Sequence, residues 1–144
     1  MIIDSHCHLT YEPMSNALKE TINRAKKDGI KYMLTISTED KSFEQILKIV
    51  NGYESVYGTY GIHPHEAKSH QHIKSDDIIN KVNQNKKIIG IGETGLDFYY
   101  NHSEKKDQIY SFEEHISAAQ EKKLPLIVHT LSLIHISEPT RHAS

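Results

Sequence analysis

Ile2-Ile3-Asp4-Ser5-His6-Cys7-His8 is the stretch on which the reading of this chain turns. Alternate side chains of a β-strand share a face, so Asp4, His6 and His8 are expected to point the same way. Two imidazoles at that spacing can grip one divalent cation, and a flanking carboxylate can orient a ring or join the coordination. The bland alternative is a pair of hydrogen-bonded histidines on a half-buried strand. An apolar strand running into the doublet, with an acid beside it, favours ligands.

Outward from that strand the chain alternates. Asn16 to Asp28 carries Ala17, Leu18, Ile22 and Ala25 at helical spacing and stops at Gly29. Ile30 to Ser37 reads as a strand, with Tyr32, Leu34 and Ile36 on one face. Phe43, Ile46, Leu47 and Val50 trace a helix that ends near Gly52, and Val56 to Ile62 is a third strand. Asp76 to Asn83 is a short helix, and Lys87 to Gly92 a fourth strand. Lys105 to Lys123 is the longest helix, with Ile109, Phe112, Ile116 and Ala119 expected on its inner face. Pro125 to His129 is a fifth strand, continuously apolar as in a parallel sheet covered on both sides.

Strands and helices alternating with short joins mean a parallel α/β sheet with helices packed outside. Two architectures are realistic: an open doubly wound sheet, or a (β/α)8 TIM-type barrel. No Gly-x-Gly-x-x-Gly follows the first strand, which weakens the nucleotide-binding open sheet. Polar residues gather where strands end instead, as at the C-terminal mouth of a barrel.

Three further clusters fall at such ends. Gly61-Ile62-His63-Pro64-His65 closes the third strand, and Pro64, lacking an N–H, ends its pairing. His63 is then at the mouth, able to donate to a substrate phosphate or leaving group. His65 is a substrate-contact candidate and equally a loop histidine held by local hydrogen bonds. Gly90-Ile91-Gly92-Glu93-Thr94-Gly95-Leu96-Asp97 follows the fourth strand, its glycines permitting close approach of backbone and ligand. Glu93 is placed to bridge two cations, one oxygen on each. Asp97 is either a loop cap or a group behind the ligands. His129 ends the fifth strand. His70, His72 and His102 fall in polar loops, and His115 is expected to be partly exposed on its helix.

Composition narrows the classes. The 144 residues carry a formal net charge of −2, so no broad basic surface is present to track a phosphate backbone. Any action on nucleic acid must then rest on a local metal site. Cys7 is the sole cysteine, which excludes an internal disulfide and suits a reducing compartment. Neither a secretory signal nor a long apolar span is visible, so the expected location is the cytoplasm, with no membrane and no evident protein partner.

At these residues the sequence resembles the TatD family of metal-dependent hydrolases, within the wider amidohydrolase group. The likeness is carried by Ile3 through His8, Gly58 through His65, Ile89 through Tyr99 and Leu124 through Thr130, in family order and spacing, with Gln108 and Phe112 also suiting the pattern. It implies a barrel, divalent metals and hydrolysis of DNA-type phosphodiesters. Carried over by position, it implies His6, His8, Glu93 and His129 as metal ligands, two cations per complete subunit, and His63 lining the substrate site. Zn, Mn, Co and Mg are not distinguished by such mixed donors. Two more ligands are implied later, a His on the sixth strand and an Asp, also the base, on the eighth. Neither falls within these residues.

After Thr130 the likeness stops. Residues 131–144 resemble the translation of a sequencing-adapter fragment, Ser-Leu-Ile-His-Ile-Ser-Glu-Pro-Thr-Arg, and are set aside as a non-native tail. The expected fold is thus a (β/α)8-type barrel truncated after about its fifth strand in residues 1–130. A barrel typically needs about 250 residues. Open edges are expected to make the 144-residue chain self-associate or unstable, and inactive. Two other function classes compete with a DNA hydrolase: a metal hydrolase acting on amides, lactones or phosphomonoesters, and a non-catalytic metal-binding fragment.

Overall fold

The computed structural model describes residues 1–131; the tail from residue 132 lies outside the described residues. Five strands, β1 (Ile2–Cys7), β2 (Ile30–Thr35), β3 (Val56–Tyr60), β4 (Ile88–Asp97) and β5 (Leu126–Leu131), alternate with four helices. These are α1 (Leu18–Lys27), α2 (Phe43–Gly52), α3 (Ser75–Val82) and α4 (Lys105–Lys122). Short 3-10 turns precede α1 and α2, and a longer one, Pro64–Ser69, follows β3.

Sheet order settles the architecture. The strands lie in sequence order, β1 to β5, each parallel to the next. A doubly wound sheet reverses its strand order at a switch point, whereas a barrel adds each strand beside the last. The structure is therefore the first five strands of a (β/α)8-type barrel, with helices on the outer side. The core lies between sheet and helices: Ile22, Met33, Phe43, Ile46, Val56, Ile78 and Ile88 are all buried. On the concave side, Ile3, Tyr32, Leu34, Tyr57 and Ile89 line an open apolar trough. No helix among the described residues is long and apolar enough to cross a membrane.

Five expectations are corrected. β4 does not stop at Gly92 but continues to Asp97, pairing with β5 through Leu131. The register shifts between Gly92 and Thr94, where an added residue bends the strand. Gly92 and Gly95 take φ of 140° and 143°, and a Cβ at either would strike the β5 backbone at Ile127 or His129. These glycines thus admit the neighbouring strand rather than a ligand.

The inner face of α4 is also not the apolar one expected. Gln108, Ser111, His115, Ala118 and Ala119 are buried, while Ile109 is 41% exposed. His115, expected to be partly exposed, is 1% exposed. The reason lies where α4 packs, over β4 and the turn that follows β3, where backbone groups need partners. Gln108 receives the Asp97 N–H at 2.7 Å and donates to the Asp97 and Ser103 carbonyls. His115 Nδ1 donates to the Ser111 carbonyl, and its Nε2 accepts the Ile62 N–H at 3.0 Å. Finally, β5 is covered on one side only, with Val128 48% exposed.

Candidate metal centre

Glu93 is 8% exposed at the mouth of the sheet and forms the hub of the site. The bend in β4 frees its N–H from the β5 ladder, and that N–H donates to the Ser37 carbonyl at 2.8 Å. Thr59, buried on β3, donates to the Gly92 carbonyl at 2.7 Å and accepts the Ser37 N–H. This lattice fixes the backbone from which the carboxylate projects.

Histidines from three strands surround it. His6 and His8, at the end of β1, bring their Nε2 atoms to 3.4 and 3.8 Å from Glu93 Oε1. His129 on β5 brings Nδ1 to 3.3 Å from the other oxygen, Oε2, and His63 after β3 brings Nε2 to 3.9 Å from it. One carboxylate oxygen therefore faces the β1 pair and the other faces β3 and β5. Asp4 does not join them: its Oδ1 accepts the His6 backbone N–H at 3.1 Å.

These separations bear on whether a cation fits. Two donors on one tetrahedral cation at ordinary bond lengths stand about 3.4 Å apart. The nitrogen–oxygen distances around Glu93 cluster near that value rather than near a direct hydrogen bond. His6, His8 and Glu93 form one group able to hold a metal ion, and His63, His65 and His129 come together as a second such group. Mixed imidazole and carboxylate donors suit Zn, Mn or Co.

The outer nitrogens sort the rings. His8 Nδ1 lies 3.2 Å from the Ile36 carbonyl, an acceptor only, so the proton sits on Nδ1 and the Nε2 lone pair is left toward Glu93. His129 Nε2 lies 3.2 Å from Asp97 Oδ2, which leaves the Nδ1 lone pair toward Glu93. His63 is the reverse. Its Nδ1 accepts the His65 backbone N–H at 3.1 Å, so its proton is on Nε2, the atom that faces the site. Burial, then the neighbouring His129 and His65, push its pKa down to about 3, and the ring is neutral.

His65 does not face Glu93; its Nε2 bonds Asp97 Oδ2. Asp97 fills both roles open to it. It is fully buried, its Oδ1 caps the Tyr99 and Tyr100 N–H groups, and its Oδ2 holds His65 and His129. Burial pushes this carboxyl up, but bonds from His65, the Tyr100 N–H and His129 outweigh it and hold it at about 2. The supports that sequence reasoning missed are Ser37, Thr59 and His115. Their signal was polar residues at buried strand and helix positions, a pattern hidden by a search for apolar faces.

Comparison with known proteins follows the same lines. Residues 3–138 match the family model described as TatD related DNase. An uncharacterized metal-dependent hydrolase of Buchnera aphidicola subsp. Baizongia pistaciae is 37% identical over 138 residues, covering 93% of this chain and 51% of that protein. The 3'-5' ssDNA/RNA exonuclease TatD of Salmonella typhimurium is 30% identical, covering 89% of this chain and 49% of its own length. The crystal structure of YjjV, a TatD homologue from Escherichia coli K12, superposes with a TM-score of 0.75 at 25% identity, covering 94% of this chain and 52% of that one. The chain spans about half the length of the curated relatives it matches. With its parallel half-barrel and its histidine ring around Glu93, this chain belongs to the TatD related DNase family of metal-dependent hydrolases.

Proposed function

We propose that the whole protein hydrolyses nucleic-acid phosphodiesters, with two divalent cations held by His6, His8, Glu93 and His129 and with His63 turned to the substrate. The observation that carries this reading is the set of partners on the far sides of the rings around Glu93, from which their proton positions follow. His8 and His129 offer it lone pairs and His63 offers an N–H.

Each residue has a task that follows from its surroundings. Glu93 presents Oε1 to the β1 flank and Oε2 to the other, so one carboxylate serves both. The Ile36 carbonyl and Asp97 fix the rings of His8 and His129. Neutral His63 donates Nε2–H to a phosphate oxygen or leaving group without adding positive charge beside the cations. Divalent cations, when bound, neutralise charge on the phosphate and lower the pKa of water. His65, tied to Asp97 beside His63, is the next side chain a substrate meets. The exonuclease name of the Salmonella relative supports a nucleic-acid substrate, and a net charge of −2 supports a local grip on it.

The test is an assay of the whole protein, chelated and then reloaded with Mn or Zn. Its substrates are a single-stranded oligonucleotide, a phosphomonoester, a lactone and an amide. Oligonucleotide cleavage that stops with chelator is expected, and His63→Ala should lower its kcat about 100-fold. Turnover of the lactone or amide without cleavage of DNA contradicts the proposal. The 144-residue chain is expected to bind metal without turnover, and DNA hydrolysis by it, purified and metal-loaded, overturns that part.

A further inference from the structure

The segment that carries His63 has already left the sheet, since β3 ends at Tyr60. Its backbone groups therefore need partners from elsewhere. Ser37 Oγ donates to the Gly61 carbonyl at 3.1 Å, and the His63 N–H donates to the Thr38 carbonyl at 2.8 Å. Between them, the Ile62 N–H turns to α4 and donates to His115 Nε2 at 3.0 Å. Two of these holds come from the chain just past β2, and the third comes from a buried ring on a helix.

His115 is set up for this one contact. Its Nδ1 donates at 2.6 Å to the Ser111 carbonyl, an acceptor only, so the proton sits on Nδ1 and the Nε2 lone pair faces Ile62. Both ring nitrogens are used, and the residue is 1% exposed. Ser111, Ala118 and Ala119 beside it on α4 are small and buried, which lets the helix come close enough for a ring to reach backbone. Gln108, two turns earlier on the same face, treats β4 alike: its Oε1 accepts the Asp97 N–H and its Nε2 donates to the Asp97 and Ser103 carbonyls. One helix thus grips the chain beside His63 with His115 and the chain at Asp97 with Gln108.

We propose that His115 is a positioning residue, which sets the direction in which His63 presents its Nε2–H to the site. This inference rests on the role proposed above for His63. The His63 backbone is extended, at φ −61° and ψ 146°, and Pro64 follows it at once, so a tilt of the peptide joining Ile62 to His63 carries the ring with it. That ring stands 3.9 Å from Glu93 Oε2 and 4.4 Å, between centroids, from His129, spacings that such a tilt would change. Proton delivery depends closely on placement, and a shift of about 1 Å caused by a distant substitution can cost about 100-fold in rate. The proposed metal ligands stand on β1, β4 and β5, away from the Ile62 bond. His115 therefore acts on turnover and leaves metal binding alone.

The experiment compares His115→Leu and His115→Gln in the whole protein, loaded with Mn and given the single-stranded oligonucleotide. His115→Leu should lower kcat about tenfold, with KM and Mn affinity unchanged. His115→Gln should keep most of the activity, because its amide can accept the Ile62 N–H as Gln108 accepts that of Asp97. In a His63→Ala background, His115→Leu should lower kcat no further, since one residue acts through the other. A merely structural role would reduce both backgrounds alike. Two readouts need no turnover: nitrogen–nitrogen coupling across the Ile62–His115 bond in the wild-type protein, and His63 ring signals that move in the leucine variant and return in the glutamine variant. Additive losses, weakened Mn binding with kcat intact, His63 signals that do not move, or no coupling in the wild-type protein overturn the proposal. A wild-type protein that leaves the oligonucleotide uncut strikes the hydrolase reading instead, and the His63 signals then decide this inference by themselves.

Discussion

The two ends of the sheet treat charge in opposite ways. At the amino end, Lys87 sends Nζ to the carbonyls of Val50, Tyr53 and Glu54 at 2.7, 2.8 and 3.2 Å, closing the C-terminus of α2, with the Tyr57 ring 5.0 Å away. Every donor of that ammonium is used. At the carboxyl end, four imidazole nitrogens stop 3.3–3.9 Å from one buried carboxylate. The first arrangement is complete in itself, whereas the second gathers donors that could hold a metal ion. Barrels divide stability and function between their two ends in this manner, and here the division is visible in half of one.

The sharpest way to break the contrast is to remove the hub. Glu93→Gln should weaken binding of Mn or Zn by at least about 100-fold in titration calorimetry, since it removes the charged donor that the two proposed cations would share. Its melting temperature should hold or rise, because an unpaired buried charge is gone. A large fall in stability would mean that Glu93 holds the fold together, as Lys87 does at the other end.

The next effect belongs to pH. Burial holds His115 down at about 4, from an ordinary value of 6.5. The unfolded chain therefore takes up a proton at a pH where the folded chain does not. Stability should fall as pH drops from about 6.5 toward 4, by roughly 3 kcal/mol for this group. His115→Gln should flatten that part of the profile in denaturant titrations. An unchanged slope would place the acid sensitivity elsewhere.

Lys87→Met should cost about 2 kcal/mol by leaving three carbonyls at the end of α2 without their donor. It should leave metal affinity unaltered, and a shift in both would join the two ends that the structure separates. The smallest effect expected is that of Asp97→Asn, a drop in metal affinity of about tenfold, as His129 loses its charged acceptor. No change in affinity would confine Asp97 to capping Tyr99 and Tyr100.

Much of this was legible in the chain. The strand ending in His6 and His8, the alternation of elements and the placing of His63 just after its strand follow from local patterns of periods two and 3.6, whereas Glu93 and His129 lie within β4 and β5 rather than at their ends. What stayed hidden depended on distant partners. β4 runs past Gly92 because β5 pairs with it through Leu131, a contact no local pattern reports. The polar inner face of α4 exists because Asp97 and Ile62 leave backbone groups to be satisfied there. Asp97 could be read as a cap or as a support, and only the position of His129 shows that one carboxylate serves as both.

The measurement that tests the central claim most directly is the protonation of the ring nitrogens, by long-range nitrogen–proton NMR of the whole protein labelled at histidine and titrated with Zn. The account predicts His8 protonated at Nδ1 and His129 and His63 protonated at Nε2. Zn should shift His6 and His8 at Nε2 and His129 at Nδ1, and His63 should keep its proton. Zn bound through His63 Nε2, or histidines of β1 and β5 that do not respond, would contradict it.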